Sequence, residues 1–314
     1  MTDRTNRNSA ARRDPDLLDV IIVGGGPAGL SAALILGRAR RRVVLYDANE
    51  PRNARSERLS GFLSRDGLPP LELRRIAREQ LAQYDSVVLR DGRVAQAECR
   101  EDGFEIVLED GTRERCRKLI LATGIVDELP AIDGIDAFYG TSVWHCPYCD
   151  GWEHRDQPIA VLGKGKSAET QALKLTNWTR DLVICSNGPA ELTRSQLRRL
   201  KRMRIAVREE PIARLEGEDG RLRAIRFASG ETLARQGAFF PPAERQRCDL
   251  AVKLGCRLTP KGVVHTGAYE KTGVPGLYVA GDATRLVHLA IVAAAEGTMA
   301  GYAVNTELTK EDVA

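Results

Sequence analysis

The chain repeats itself. Asp19–Ala48 reads DVIIVGGGPAGLSAALILGRARRRVVLYDA, and Pro158–Asn187 reads PIAVLGKGKSAETQALKLTNWTRDLVICSN. Laid over each other without gaps, Gly24 meets Gly163, Gly26 meets Gly165 and Gly29 meets Ala168, while Val43–Leu45 meet Leu182–Ile184. Each segment offers a short β-branched strand, a glycine-rich turn, an Ala/Leu helix and a second strand. That is the βαβ pattern of a dinucleotide-binding fold. Two such units, about 139 residues apart, predict an α/β protein with two Rossmann-like domains. Length agrees, since 314 residues suit two medium domains, each large enough for its own core.

The segments around the repeat read as supporting strands. Gly92–Leu108 alternates apolar and polar residues about Asp102-Gly103, and Asp110-Gly111 marks a second turn, a hairpin signature. Lys118–Gly124 reads as a buried strand, and Ile125–Ile135, punctuated by Pro and Gly, as a crossover between domains. Ala213–Leu233 returns to strands with turns at Asp219-Gly220 and Ser229-Gly230. Gly276–Asp282 is another buried strand, and His288–Asn305 an Ala-rich helix. The basic run Arg194–Arg204 reads as a helix with a solvated face.

Gly24-x-Gly26-x-x-Gly29 follows a strand and opens a helix, the context that gives this motif its meaning. Gly24 permits the tight turn, Gly26 lets backbone approach a pyrophosphate, and Gly29 lets helix and strand pack closely. The helix N-terminus adds free N–H groups and positive dipole for the phosphates. Asp47 ends the second strand, where a carboxylate accepts from ribose hydroxyls and repels a 2′-phosphate, which suits FAD or NAD rather than NADP. In the second unit, Gly163-x-Gly165-x-x-Ala168, the ribose position is Ser186, and no arginine follows before Arg194. Lys164 and Lys166 are placed for a pyrophosphate but not for a ribose phosphate. Two readings stay open there: a weak NADPH or NADH site, or a fold that no longer binds nucleotide.

Seven cysteines in a chain with no apolar signal-like stretch do not make a disulfide framework. Cys99, Cys116, Cys185, Cys248 and Cys256 are scattered and are expected to be small buried hydrophobes. Cys146 and Cys149 differ: in CPYCDG their spacing closes a disulfide, and a helix N-terminus there would favour a thiolate. Asp150 adjoins them and is a candidate general acid for a leaving thiolate. Zinc would need four ligands, and only His145 and His154 lie near. CPYC is also the glutaredoxin string, but glutaredoxins are small and carry no dinucleotide units. The cysteine usage points to a cytoplasmic location. Basic and acidic residues, 47 and 43, nearly cancel, so nucleic acid is not implied, and no apolar run is long enough to span a bilayer.

GGGPAG, the Ala122-Thr123-Gly124 turn, CPYCDG, GKGKSA and Gly281-Asp282, in this order, resemble the low-molecular-weight thioredoxin reductases from about Leu17 to Asn305. The resemblance implies a homodimer with an FAD domain split by an inserted NAD(P)-like domain. The corresponding spans are a disordered lead-in over residues 1–16, the FAD domain over 17–126 and 238–314, and an insert over 127–237 that carries the cysteine pair. It also implies that Cys149 faces the flavin, that Cys146 exchanges with a thioredoxin-like protein or small dithiol or disulfide, and that Asp150 is the acid. Ala28 lies within the GGGPAG landmark. Gly281 and Asp282 would hold the ribityl-phosphate region, His288, Leu289 and Ala290 would lie near the ring, and Asn53 would replace a flavin-contacting Gln.

Three departures stand out. The Arg-rich NADPH motif is replaced by Cys185-Ser186-Asn187-Gly188, the family's RQA by His288-Leu289-Ala290, and the small residue before the first cysteine by His145. Similar losses occur in oxygen-using dithiol oxidases of the gliotoxin type and in ferredoxin-linked reductases. His145 beside the thiols would suit a base that deprotonates a dithiol. A non-catalytic flavin redox sensor is the rival of another class, although it has little use for an acid at position 150.

Overall fold

The computed structural model describes residues 17–314; the expected lead-in, residues 1–16, lies outside the described residues. The first βαβ unit consists of β1 (Leu17–Val23), α1 (Pro27–Arg38) and β2 (Val43–Asp47). Val20, Ile21 and Ile22 have no exposed surface, as a parallel strand covered on both faces requires. The chain continues through α2 (Pro70–Leu81), β3 (Val87–Asp91), β4 (Val94–Arg100), β5 (Gly103–Leu108), β6 (Arg113–Leu121) and β7 (Ile125–Asp127). The sheet runs β3-β2-β1-β6-β5-β4, with β1 parallel to β2 and β6, and β4-β5-β6 an antiparallel meander. The meander's first turn falls at Asp102-Gly103, where the sequence places it.

The insert follows as α3 (Ile135–Phe138), β8 (Val143–Trp144), α4 (Pro147–Asp150), β9 (Ile159–Leu162), α5 (Gly165–Leu175), β10 (Leu182–Cys185), α6 (Arg194–Arg202) and β11 (Ala206–Arg208). An antiparallel group, β12 (Ile212–Glu218), β13 (Arg221–Phe227) and β14 (Thr232–Ala234), precedes β15 (Gly237–Phe239). The second parallel sheet has the order β11-β10-β9-β15-β8. Because β15 sits inside it, paired with β9 and β8, this sheet runs two residues past the 237/238 boundary drawn from the sequence. On α6 only Leu200 is buried, so the basic run does present a solvated face.

The chain returns through β16 (Glu244–Gln246), which pairs with β7 so that Glu244 lies opposite Asp127. Then α7 (Leu250–Lys253) leads to β17 (Leu277–Val279), which joins the first sheet beside β6, and α8 (Ala290–Val313) packs on α1. A Cβ on Gly297 would overlap the Ala28 carbonyl, so a glycine there lets the two helices touch backbone to backbone. Each sheet carries apolar clusters, Ile21, Leu119 and Val279 or Val20, Leu36 and Val304 on the first, Leu162 and Phe240 or Ile184 and Phe239 on the second. Among the described residues no helix is long and apolar enough to cross a membrane.

Candidate active site

The first glycine turn shows where a ligand has room. Gly24 has φ +112°, and a Cβ there would overlap the Ala122 carbonyl; one on Gly29 would overlap the Gly24 carbonyl. Strand, turn and helix therefore close up only with glycine at both positions. Gly26 differs, because a Cβ there meets no protein atom within 4 Å. No side chain caps the start of α1, and Pro27 opens it. First-turn N–H groups and the positive end of the helix dipole face that open space, which is how helices bind phosphate.

Two hollows continue from the turn. One, of about 780 Å³, is lined by Asp47, Thr123 and Cys248; the other, of about 1290 Å³, by Ala28, Asn53 and the two cysteines of CPYC. They share Gly26, Arg52, Arg74 and Ala122, so they form one elongated cleft from Asp47 to the disulfide. Gly281, Asp282, His288, Leu289 and Ala290 line its disulfide end. Gly124 completes the small-residue turn after β6 at φ +68°. An uncapped helix start midway along a cleft of this reach fits a dinucleotide that lies with its pyrophosphate at Gly26 and its ring toward the disulfide.

Asp47 ends β2 as expected, yet its carboxylate is buried and already engaged. It accepts from Arg74, from the Asn49 N–H at 3.0 Å and from Arg78 at 3.5 Å. Arg74 also reaches the Gly25 carbonyl at 3.3 Å. Arg74 carries no signal in the sequence, where it looks like any charged residue of the amphipathic α2.

Cys146 and Cys149 form a disulfide with Cα atoms 5.3 Å apart, Cys146 standing just before α4. Asp150 closes that helical turn, half-buried, and burial followed by repulsion from Glu153 pushes its pKa up to about 7. That value lies near neutrality, in the range where a carboxyl can give up a proton to a reacting group.

His145 enters a network that no sequence pattern announced. Arg52 donates to both oxygens of Asp127, with Nε to Oδ2 at 2.9 Å, and to Asp282 at 3.0 Å. Its Nη2 also lies 3.3 Å from His145 Nε2, and His145 Nδ1 lies 3.2 Å from the Tyr139 hydroxyl. Tyr139 gives its own proton to Asp127 at 2.9 Å. Guanidinium only donates, so Nε2 accepts and Nδ1 carries the hydrogen. Burial holds the His145 pKa below the usual histidine range and keeps this neutral form. Both ring nitrogens are thus engaged.

His288 is the opposite case. Its Nε2 faces the Arg285 carbonyl at 2.8 Å and its Nδ1 the Glu244 carboxylate at 3.2 Å, and both partners only accept. Burial opposes the charge, but Glu244 and Asp282 outweigh it, so its pKa lies above the usual value. Next to Asp282, the Gly281 N–H donates to Glu296 at 2.8 Å.

In the second unit Gly163 and Ala168 pack closely, with a Gly163 Cβ falling 3.6 Å from that of Ala168, but the Gly165 N–H donates to the Ala190 carbonyl at 2.8 Å. The remaining cysteines divide. Burial raises the Cys116 and Cys185 thiols to about 12, which leaves them inert, whereas Cys99 is exposed and Cys248 half-buried, against expectation. Cys99 lies on a hairpin strand whose outer face is open, and Cys248 borders the cleft. Among the described residues no group of three or more His, Cys, Asp or Glu is placed to hold a metal ion.

A family model described as pyridine nucleotide-disulphide oxidoreductase matches residues 18–297. The chain belongs to that family. Thioredoxin reductase tcpT of Claviceps purpurea (strain 20.1) is 32% identical over 307 residues, 93% of this chain and 95% of its own. The crystal structure of HlmI superposes with a TM-score of 0.91 at 38% identity, over 96% of this chain and 95% of that one. The structure of a thioredoxin reductase TrxB from Bacillus anthracis does so at 0.89 and 36%, over 94% and 99%. This pyridine nucleotide-disulphide oxidoreductase is an FAD-dependent thiol–disulfide oxidoreductase of the thioredoxin reductase type, on a fold of two Rossmann-like units. FAD is the cofactor the cleft fits, and NAD(P)H is the family's usual donor.

Proposed function

We propose that Cys146 and Cys149 are the redox-active pair, with Cys149 toward the flavin, Cys146 toward an external disulfide or dithiol, and Asp150 as the acid. The observation that carries this reading is the disulfide at one end of the cleft whose middle is the Gly26 turn. Gly24, Gly26, Ala28, Gly29, Asp47, Asn53, Ala122–Gly124, Gly281, Asp282 and His288–Ala290 would hold FAD. When bound, FAD supplies two-electron exchange with the disulfide.

In the reducing direction the Cys146 thiolate attacks a substrate disulfide, one substrate sulfur leaves, and the Asp150 carboxyl gives it a proton. Cys149 then attacks Cys146 Sγ, releasing the second substrate thiol and closing the enzyme disulfide. Oxidation of a dithiol follows the same steps backwards. A base role for His145 requires its Nε2 to exchange Arg52 for a substrate thiol. The relatives' name makes a thioredoxin-like protein one partner; a small dithiol or disulfide is the other class.

The chain is further proposed to form a homodimer. Leu286, Val287, Ile291, Met299 and Tyr302, at and along the first half of α8, leave apolar surface exposed, a pattern that suits a protein interface. The test of the disulfide assignment is Cys146→Ser: it should keep the yellow flavin and lose turnover with disulfide or dithiol substrates. Full turnover in that variant would sink the assignment.

A further inference from the structure

The internal repeat supplies its own control for the second nucleotide unit. In the first unit the glycine turn opens to a cleft, and the segment after β2, with Ala48, Glu50 and Pro51, lines that cleft from the side. In the second unit the segment after β10 lies across the turn instead. The Gly165 N–H, at φ +59°, donates to the Ala190 carbonyl at 2.8 Å, and a Cβ on Gly165 would fall 3.6 Å from the Glu191 carbonyl. The equivalent Gly26 has φ −80° and faces nothing.

The covering segment is pinned at each step. Ser186, the ribose position by overlay, is buried and turned inward, its hydroxyl donating to the Gly188 carbonyl at 2.6 Å with the Arg208 carbonyl also 3.1 Å away. The Asn187 side chain accepts from the Ile212 N–H at 2.8 Å. The Gly188 N–H donates to the Glu209 carbonyl at 3.0 Å and the Ala190 N–H to the Glu209 carboxylate at 2.7 Å. Ala190 is 3% exposed, and Glu191 lies 3.6 Å from Lys164, the lysine of the glycine turn. A pyrophosphate approaching this turn meets a carbonyl oxygen and a carboxylate where the first unit offers free N–H groups.

We propose that Ser186–Glu191 closes the second unit to pyridine nucleotides, so that electrons enter this protein as a dithiol at Cys146–Cys149. This rests on the disulfide assignment above. In the step inferred, a substrate dithiol loses two electrons and two protons and becomes a disulfide, and the enzyme disulfide gains them and becomes two thiols. Opening the segment breaks at least two of the bonds named, which is enough to weaken nucleotide binding by about a hundredfold.

The experiment is calorimetric titration of the FAD-loaded protein with ADP-ribose and with its 2′-phosphate, which probe the seat without redox chemistry. Neither should saturate below about 1 mM, and a Kd under about 0.1 mM for either would overturn the closure. A double variant, Glu191→Ala with Glu209→Ala, frees Lys164 and the Ala190 N–H and should bring saturable binding below about 1 mM. If that variant keeps the wild-type flavin spectrum yet binds no better, the segment is not the block and the proposal fails. Anaerobic bleaching by dithiothreitol, compared with NADPH and NADH, separates the two readings. Bleaching by dithiothreitol alone supports dithiol entry; bleaching by a nucleotide overturns the closure but leaves the disulfide assignment standing. If dithiothreitol also fails, the disulfide assignment falls and takes dithiol entry with it.

Discussion

Arg52 Nη2 and His145 Nε2 lie 3.3 Å apart although the two residues are 93 positions apart in sequence. The contact joins the loop after β2 to the residue before the disulfide, and so ties the first unit to the second. Arg52 also faces Asp127 and Asp282, at 15% side-chain exposure. Removing the cation leaves Asp127 mostly buried with no counter-charge and Asp282 with His288 alone; the first of these costs about 3–5 kcal/mol in comparable pairs. Arg52→Met should therefore lower the melting temperature by several degrees and release FAD on gel filtration. Arg52→Lys should recover the melting temperature in part but not the two-pronged grip on Asp127. Unchanged flavin retention in Arg52→Met would show that the network is incidental to the cofactor.

Asp150 supplies a prediction in pH. Its carboxyl is an acid only while protonated, and burial raises its pKa to about 7. Turnover that needs this proton should fall as pH rises through about 7, and Asp150→Asn should be slower by about 10²–10⁴-fold with that limb of the profile gone. Stability carries the same signature. The folded pKa lies above the unfolded one, so the fold binds the extra proton between pH 3.8 and about 7 and loses stability as pH rises through that window. Asp150→Asn should thus gain in melting temperature on wild type from pH 4 to 7, and the gain should then level off. A constant difference between the two proteins would contradict the raised pKa.

The two glycines of the first turn separate folding from cofactor binding. Gly24→Ala forces a Cβ into the Ala122 carbonyl at a positive φ, so it should abolish soluble protein or destabilise it severely. Gly26→Ala meets no protein atom, and its backbone, φ −80° and ψ −177°, is open to alanine. The apo form of Gly26→Ala should melt within a degree or two of wild type, while its affinity for FAD falls at least tenfold. Fluorescence titration of the apoprotein with FAD measures this directly, and equal affinities would remove the pyrophosphate from Gly26.

What could be read beforehand was whatever is written locally. The βαβ repeat, the turns at Asp102-Gly103 and Asp219-Gly220, and the CPYC pair each signal through residues within one short window, where backbone preference and hydrophobic period act. The Ala-rich pattern covers His288–Asn305 whereas the helix runs Ala290–Val313, because its last turns are polar and are held through partners distant in sequence: Arg41 reaches Asp312 and Lys118 reaches Glu311. The network around His145 was invisible for the same reason. Arg52, Asp127, Tyr139 and Glu244 carry no motif, and only the pairing of β7 with β16 brings Asp127 and Glu244 to one place. Asp47 was legible as a position but not as a partner of Arg74, since an amphipathic helix does not reveal which arginine turns inward.

His288 carries the last prediction. A carbonyl on Nε2 and a carboxylate on Nδ1 leave no acceptor role for either nitrogen, so the ring is an imidazolium in this fold. Glu244 and Asp282 favour the charge, Arg52 and burial oppose it, and the balance places the pKa above the usual 6.5. The stabilisation is therefore complete below pH 6.5 and is lost as pH rises through the folded pKa. Wild-type protein should lose melting temperature between pH 6.5 and 9 relative to His288→Gln, whose amide does not titrate. Proton NMR of the imidazole should show the charged ring persisting above pH 6.5. Because Leu289 and Ala290 follow directly and line the same end of the cleft, the flavin absorption band of wild type should shift over that pH range and that of His288→Gln should not. A neutral imidazole at pH 6.5 would contradict the raised pKa and remove the pH dependence argued from it.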